Sequence, residues 1–114
     1  MKLPENGKLL RIFIGESDKH GDKALYEAIT LKARELGLAG ATVVRGVMGF
    51  GADSRMHTAK LLELSEDLPM IIELVDTGEN LNKLMPFLDE TVTEGLITIE
   101  DVKVVKYRHS TAEK

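Results

Sequence analysis

Hydrophobic and polar positions follow a two-residue period in some parts of the chain and a helical period in others. Pro69 to Val75 is apolar on both faces, which is typical of a strand inside a sheet. In residues 8–14, Leu10, Ile12 and Ile14 share one face, opposite Leu9 and Phe13. The stretches with a strand pattern are 8–14, about 41–49, 69–75 and 96–107, the last with an interruption expected near Glu100–Asp101.

Two further stretches place their apolar residues at helical spacing. The first is predicted from Asp22, as its N-cap, to Leu36, and Gly37 then ends it in a left-handed conformation. The second follows Thr77, a predicted cap, and ends at Glu94–Gly95. Pro86 lies within it and is predicted to kink it, because proline removes one helical hydrogen bond.

The resulting order is β-α-β-β-α-β, an α+β arrangement of the ferredoxin-like type with both helices on one face of an antiparallel sheet. Residues 1–114 form one predicted domain, with flexible tails at 1–7 and 109–114, an exposed loop at 52–60 and a short return strand at 61–64. Since the strands offer apolar residues to both faces, the uncovered face predicts a homo-oligomer.

Glycine is concentrated around the second strand. Five of the ten glycines lie between Gly37 and Gly51, and the strand ends in Gly49-Phe50-Gly51. Glycine in a strand marks either close approach of another group or a bulge followed by a turn. The pattern leaves both explanations open.

Composition narrows the classes of function. Fifteen basic and nineteen acidic residues give a net charge of −4, and the five aromatic residues include no Trp, so nucleic-acid binding is disfavoured. There is no Cys, no apolar run long enough to span a membrane and no apolar signal segment at the start. These features predict a cytoplasmic protein that does not insert into membranes.

Few side chains suggest catalysis. His57 is either a solvated loop residue or part of a ligand-binding or pH-sensing site, and no metal site is predicted. Lys106 and Arg108 either hold an anion or are solvated charges at the sheet edge. Because no nucleophile with an orienting partner can be identified, the chain is not predicted to be an enzyme.

The chain resembles the PII-like signalling proteins of the nitrogen regulatory PII superfamily. The resemblance rests on the 37–43 segment, Gly49-Phe50-Gly51, a loop containing His57 and Leu68-Pro69. It is also similar to an uncharacterised PII-like branch catalogued as domain-of-unknown-function family 190. The motifs shared with that branch include Ile14-Gly15-Glu16, Leu25-Tyr26, Arg45-Gly46 and Leu64-Ser65-Glu66-Asp67-Leu68-Pro69.

The resemblance implies a homotrimer that holds an adenine nucleotide in clefts between subunits and requires no other cofactor. It also implies that the exposed loop binds a partner, often a membrane transporter or channel. The loop residues concerned are Ala52, Asp53, Ser54, Arg55 and His57. The residues implied in the cleft are Thr42, Arg45, Gly49, Phe50, Gly51, His57, Lys106 and Arg108.

Two departures from the PII pattern change the expected ligand. Only Thr93-Glu94-Gly95, without a lysine, stands where PII proteins have a loop that grips the outer phosphates, and Ala52 replaces a basic residue. AMP, ADP or a cyclic nucleotide is therefore expected rather than ATP. The predicted function is a non-enzymatic nucleotide sensor. The alternative is a trimeric metal-tolerance or scaffold protein of the same fold without a nucleotide site, in which His57 would serve a metal.

Overall fold

A computed structural model of the chain describes residues 6–51 and 67–108. Its main feature is an antiparallel sheet of four strands: β1 (Asn6–Gly15), β4 (Thr42–Arg45), β5 (Pro69–Asp76) and β6 (Leu96–Lys103). The strand order in the sheet is β4-β5-β1-β6. The remaining elements are β2 (Lys19–His20), β3 (Lys23–Ala24), α1 (Leu25–Glu35), α2 (Gly78–Asn82) and α3 (Met85–Thr91). This order confirms the ferredoxin-like arrangement.

The core lies between one face of the sheet and the helices. Alternate residues of the central strands, such as Ile12 on β1 and Ile72 on β5, pair directly and are fully buried. Ile29 of α1, together with Leu81 and Leu88 from the second helical region, packs into the same cluster. Both helical regions therefore cover a single face, and its burial is the main source of stability.

The start of α1 differs from the prediction. Asp22 does not cap the helix: residues 19–24 form the small hairpin β2–β3, and α1 begins at Leu25. Ala24 is the N-cap, and no side chain completes it. The charged and glycine residues before the helix were consistent with a cap, but the hairpin uses them as a turn, with Gly21 at φ +65°.

The end of α1 follows the prediction. Gly37 has φ +80°, and its N–H donates to the Arg34 carbonyl at 3.1 Å. The next N–H, that of Leu38, donates to the Ala33 carbonyl at 3.1 Å. This pair of bonds is a Schellman motif, which needs a left-handed residue and therefore favours glycine.

Pro86 divides the second helical region into two helices instead of kinking one. The Thr77 hydroxyl accepts a bond from the Asn80 N–H at 3.0 Å and caps α2, as predicted. Pro86 lies in the first turn of α3, where its missing N–H removes no helical bond.

The edge strands are shorter than predicted. β4 covers only Thr42–Arg45 of the 41–49 stretch, whereas β6 ends at Lys103 and is not interrupted at Glu100–Asp101. Asn6 begins β1, although it was expected in the N-terminal tail. The expected strand at 61–64 lies outside the described residues. Among the described helices, none combines the length and apolar character needed to cross a membrane.

Candidate functional site

The glycine-rich stretch leaves β4 over the ring of Pro69. The Gly46 N–H donates to the Pro69 carbonyl at 2.7 Å. A Cβ atom at Gly46 would lie 2.7 Å from the Pro69 Cγ atom, and one at Gly49 would lie 3.0 Å from it. The group against the exit of the strand is thus this proline, and the close approach explains glycine at both positions. At Gly51 a Cβ atom would meet nothing within 4 Å.

Arg45 lies on the helix-covered side of β4, whereas Thr42 lies on the opposite side. This follows from the register, in which Arg45 pairs with the buried Met70 and Thr42 pairs with Glu73. The Arg45 Nη2 atom lies 3.2 Å from Glu16 Oε1. The structure therefore ties Arg45 to the end of β1 and separates it from Thr42.

Acidic side chains hold the backbone at the same end of the sheet. Asp18 Oδ2 accepts from the Gly15 N–H at 3.0 Å, and Asp67 Oδ1 accepts from the Ser17 N–H at 2.9 Å. These carboxylates shape the loop after β1.

Beside these carboxylates, the loop after β4 presents three apolar side chains to solvent. The exposed fractions are 92% for Val47, 69% for Met48 and 67% for Phe50. We call these three residues the tip. Single exposed apolar residues are common on protein surfaces, but three within four positions form a patch.

The face of the sheet that the helices leave uncovered is also largely apolar. Leu9 and Phe13 of β1 and Ile71 and Val75 of β5 point to this side and are half-buried. We call this side the open face. It agrees with the sequence-based expectation that both faces of the central strands carry apolar residues.

Arg11 interrupts the apolar open face at its centre. Its Nε atom donates to Glu73 Oε2 at 2.9 Å, and Nη1 donates to Glu100 Oε1 at 3.3 Å. The hydrogen bond to Glu73 raises the pKa of Arg11 above its ordinary value, with smaller contributions from the charges of Glu73 and Glu100. This cluster was not predicted from the sequence, although the two-residue period of β1 places Leu9, Arg11 and Phe13 on one face.

A cavity of about 710 Å³ lies over one end of the open face. Residues 104–108, which we call the crossing segment, leave β6 and run over the strands, and the Tyr107 hydroxyl donates to the Ala39 carbonyl at 3.1 Å. The residues that border it include Leu9, Val75, Val105, Thr42, Glu73 and Lys106. Apolar residues, a threonine, a glutamate and a lysine therefore surround a cavity that is open to solvent.

The sequence-predicted ligand residues fall into two groups at opposite ends of the sheet. Thr42 and Lys106 line the cavity, whereas Gly49 packs on Pro69, which pairs with Gly15. Leu9 of the cavity is six residues from Gly15 along β1, or about 20 Å at the rise of a strand. Thr42 is closer to the glycine motif, since it lies four residues before Gly46, or about 13 Å.

The other predicted residues are placed as follows. Arg108 is exposed at the end of the crossing segment and is not among the cavity-lining residues. Because β6 ends at Lys103, Lys106 and Arg108 do not lie on a strand as the predicted 96–107 strand implied for Lys106. His57 and the loop residues Ala52, Asp53, Ser54 and Arg55 lie outside the described residues. Within residues 6–51 and 67–108 no cluster of three or more His, Asp or Glu side chains is arranged to hold a metal ion.

Comparison with known proteins shows which family this chain matches. The family model DUF190, described as "Uncharacterized ACR", matches residues 7–104. A UPF0166 protein from Aquifex aeolicus is 39% identical over 100 residues, which cover 86% of this chain and 92% of the relative.

Solved structures share the fold at low sequence identity. CPII from Thiomonas intermedia K12, bound to ADP and bicarbonate, superposes with a TM-score of 0.64 at 19% identity, covering 89% of this chain and 90% of CPII. Another structure of CPII is bound to ADP, AMP and acetate. A putative PII-like signaling protein from Thermus thermophilus gives a TM-score of 0.60 at 17% identity, with 88% and 90% of the two chains covered. The chain therefore has a PII-like fold.

Proposed function

This chain belongs to the DUF190 family, and on that premise we propose that it is a non-enzymatic, PII-like regulatory protein that binds an adenine nucleotide between the subunits of a homotrimer. The observation that carries the proposal is the cavity beneath the crossing segment. Its volume of about 710 Å³ lies in the range of ligand pockets, and it combines apolar walls with a few polar groups.

The polar groups of the cavity suit a small anionic ligand. Lys106 supplies a positive charge for a phosphate, and the Thr42 hydroxyl can donate to or accept from a ribose or a base. Glu73 also faces the cavity, but Arg11 pairs with its carboxylate at 2.9 Å and offsets its charge. AMP, ADP or a cyclic nucleotide is the favoured ligand because Thr93-Glu94-Gly95 offers no lysine to outer phosphates, and CPII is bound to ADP and AMP.

A site between subunits explains why the predicted ligand residues are divided. The group at one end of the sheet, with Gly49, Phe50 and Gly51, would meet Thr42 and Lys106 of a neighbouring copy. In a closed ring every copy then contributes one half to each of two clefts. Arg45 and Arg108 belong to the proposal only as charges near the edges of the cleft.

The regulatory output is proposed to pass through residues 52–60, which follow the glycine motif directly in the chain. Ligand binding at Gly49 to Gly51 would change which conformations this loop populates. The loop residues concerned are Ala52, Asp53, Ser54, Arg55 and His57. The partner that this loop would contact is a transporter or channel.

The first experiment is a thermal-shift titration of nucleotide-free protein with AMP, ADP, ATP, cyclic AMP and cyclic di-AMP at constant ionic strength. A ligand that binds only the folded state at 100 times its Kd adds roughly 2.7 kcal/mol to stability. We expect AMP or ADP to raise the melting temperature and Lys106→Ala to abolish the shift. Lys83→Ala, which removes an exposed lysine at the end of α2, should leave it intact.

A flat response to all five nucleotides would contradict the proposal. The metal or scaffold alternative would then be tested with zinc and copper, since no specific observation among the described residues favours it now.

Subunit mixing tests whether the cleft is shared. Gly51→Val and Lys106→Ala should each abolish binding alone, because each alters one half of the site. Refolding the two variants together at equal amounts should restore about one cleft in four, since chance assembly pairs the two intact halves at that frequency. Absence of recovery in a properly assembled mixture would show that the site lies within one chain.

A further inference from the structure

One residue at the border of the cavity is hydrogen-bonded through both its N–H and its carbonyl. Ala39 lies between α1 and β4, and its N–H donates to Asp76 Oδ2 at 2.8 Å. Its carbonyl accepts from the Tyr107 hydroxyl at 3.1 Å. We propose that Asp76 is a positioning residue for the nucleotide, because through Ala39 it holds the crossing segment, and with it Lys106, in place at the cavity. This inference rests on the nucleotide site stated under Proposed function.

The burial of Asp76 requires an explanation. Asp76 is fully buried at the end of β5, and a buried carboxylate costs free energy unless hydrogen bonds satisfy it. Lys8 lies opposite Asp76 in the strand register, but its ammonium group pairs with Asp101 instead. N–H donors therefore stabilise this carboxylate, and the positions of these donors show which segments it organises.

The two oxygens of Asp76 bind different segments. Oδ1 accepts from the Thr77 N–H at 2.7 Å and from the Asn80 side-chain amide at 2.9 Å, both in the residues that follow directly. The Thr77 hydroxyl already caps α2. Oδ2 accepts from Ala39, which is 37 residues away along the chain. The start of α2 therefore does not account for Oδ2, whereas the wall of the cavity does.

Ala39 joins two segments that both border the cavity, residues 39–42 and residues 102–107. Strand pairing between β6 and β1 ends at Lys103 and does not extend into the crossing segment. The bond from Tyr107 to Ala39 supplies a fixed point directly after Lys106. A lysine that is held in place before binding loses less conformational freedom when it contacts a phosphate, which favours affinity.

Two substitutions interrupt this path at different points. Tyr107→Phe removes the hydroxyl and keeps the ring. Asp76→Asn keeps the size of the side chain but replaces one acceptor oxygen with an NH₂ donor. Measured by titration calorimetry, AMP binding should weaken about fivefold in Tyr107→Phe and about tenfold in Asp76→Asn. Adenosine, which has no phosphate for Lys106, should bind Tyr107→Phe as it binds the natural chain.

The double variant distinguishes positioning from a general loss of stability. Because both substitutions act through Ala39, Asp76→Asn/Tyr107→Phe should bind AMP as Asp76→Asn does, whereas independent effects would multiply. Multiplied losses, or natural AMP affinity in Tyr107→Phe, would overturn the proposal. If Asp76→Asn does not fold, the AMP and adenosine affinities of Tyr107→Phe decide.

A matched control lowers stability without touching the path. Ile29→Val removes one buried methyl group from the core, and Ile29 is not among the residues that border the cavity. Its Kd for AMP should equal that of the natural chain. A weakened Kd in Ile29→Val equal to that in Tyr107→Phe would mean that the losses reflect stability, which would overturn the positioning role.

Hydrogen exchange of the nucleotide-free protein, followed by mass spectrometry, tests the path without a ligand. Asp76→Asn should speed amide exchange at Ala39 and in residues 104–108, because both lose their fixed position. Tyr107→Phe should speed exchange in residues 104–108 and leave the start of α2 unchanged. Unchanged exchange of residues 104–108 in folded Asp76→Asn would overturn the proposal.

The outcome separates this inference from the proposed function. Protein that binds AMP or ADP equally well with and without the Tyr107 hydroxyl would overturn the positioning role alone. Protein that binds none of the nucleotides would contradict the proposed function and, with it, a role of Asp76 toward a nucleotide. Faster exchange of residues 104–108 in Asp76→Asn would in that case still support its hold on the crossing segment.

Discussion

The two faces of the sheet are built from the same strands but differ in what covers them. On β5, Ile72 points to the helices and is fully buried, whereas its neighbour Ile71 points to the open face and is half-buried. Each of these isoleucines pairs with a hydrophobic residue of β1, Ile12 or Phe13. The covered face completes its packing within the chain, and the open face does not.

Each face also carries one charged group with several partners. On the covered side, Asp76 is fully buried at the end of β5, and its carboxylate accepts from the N–H groups of Ala39 and Thr77 and from the Asn80 amide. On the open side, Arg11 binds Glu73 and Glu100 but stays partly exposed. The covered face therefore stabilises the single chain, and the open face is the surface that the proposed association would bury.

The largest expected difference in the free energy of unfolding is between substitutions of two adjacent isoleucines, Ile71 and Ile72. Ile72→Ala should lower the free energy of unfolding by about 3 kcal/mol at every protein concentration, because it creates a cavity in the core. Ile71→Ala should cost less than about 1 kcal/mol in dilute protein and more in concentrated protein, where the proposed association would cover the open face. Urea unfolding at two protein concentrations measures both effects. If both variants lost the same free energy of unfolding in dilute protein, the two faces would contribute equally to the stability of the single chain.

The next effect concerns the buried carboxylate. Asp76→Ala should lower the free energy of unfolding by about 2 kcal/mol, because it leaves part-buried donors from Ala39, Thr77 and Asn80 without their acceptor. Asn80→Ala, which removes only one donor, should cost about 1 kcal/mol. Thermal unfolding with a fixed protein concentration measures both. If the two variants lost the same stability, the link from Asp76 to the segment after α1 would contribute nothing.

The covered face could be predicted from the sequence because its signals are local. The periods of β1, β5 and α1, the left-handed end at Gly37 and the cap at Thr77 each depend on a few neighbouring residues. The start of α1 could not be predicted in this way, because Asp22 is suitable both for a helix cap and for a hairpin turn. Tertiary contacts decide between the cap and the turn, and the local sequence pattern does not contain them.

The candidate site was less predictable because its parts meet only through the sheet register. The resemblance to PII-like proteins identified Thr42 and Lys106 as expected ligand residues, and both line the cavity in the structure. No pattern near Lys106 indicated that the chain crosses the open face, since that path depends on where β6 ends and on the bond from Tyr107 to Ala39. The pairing of Arg11 with Glu73 and Glu100 likewise requires the strand order.

The smallest expected effect on the single chain belongs to Arg11. Solvent screens its partly exposed ion pairs, so Arg11→Met should change urea unfolding of dilute protein little. Association should weaken much more, because Glu73 and Glu100 would then be buried between copies without a cation. Arg34→Met, on the exposed side of α1, is the matched control and should alter neither property. Sedimentation measured beside unfolding separates the two effects. An Arg11→Met protein that unfolds earlier but associates normally would place the role of this cluster in the fold of the single chain and not between copies.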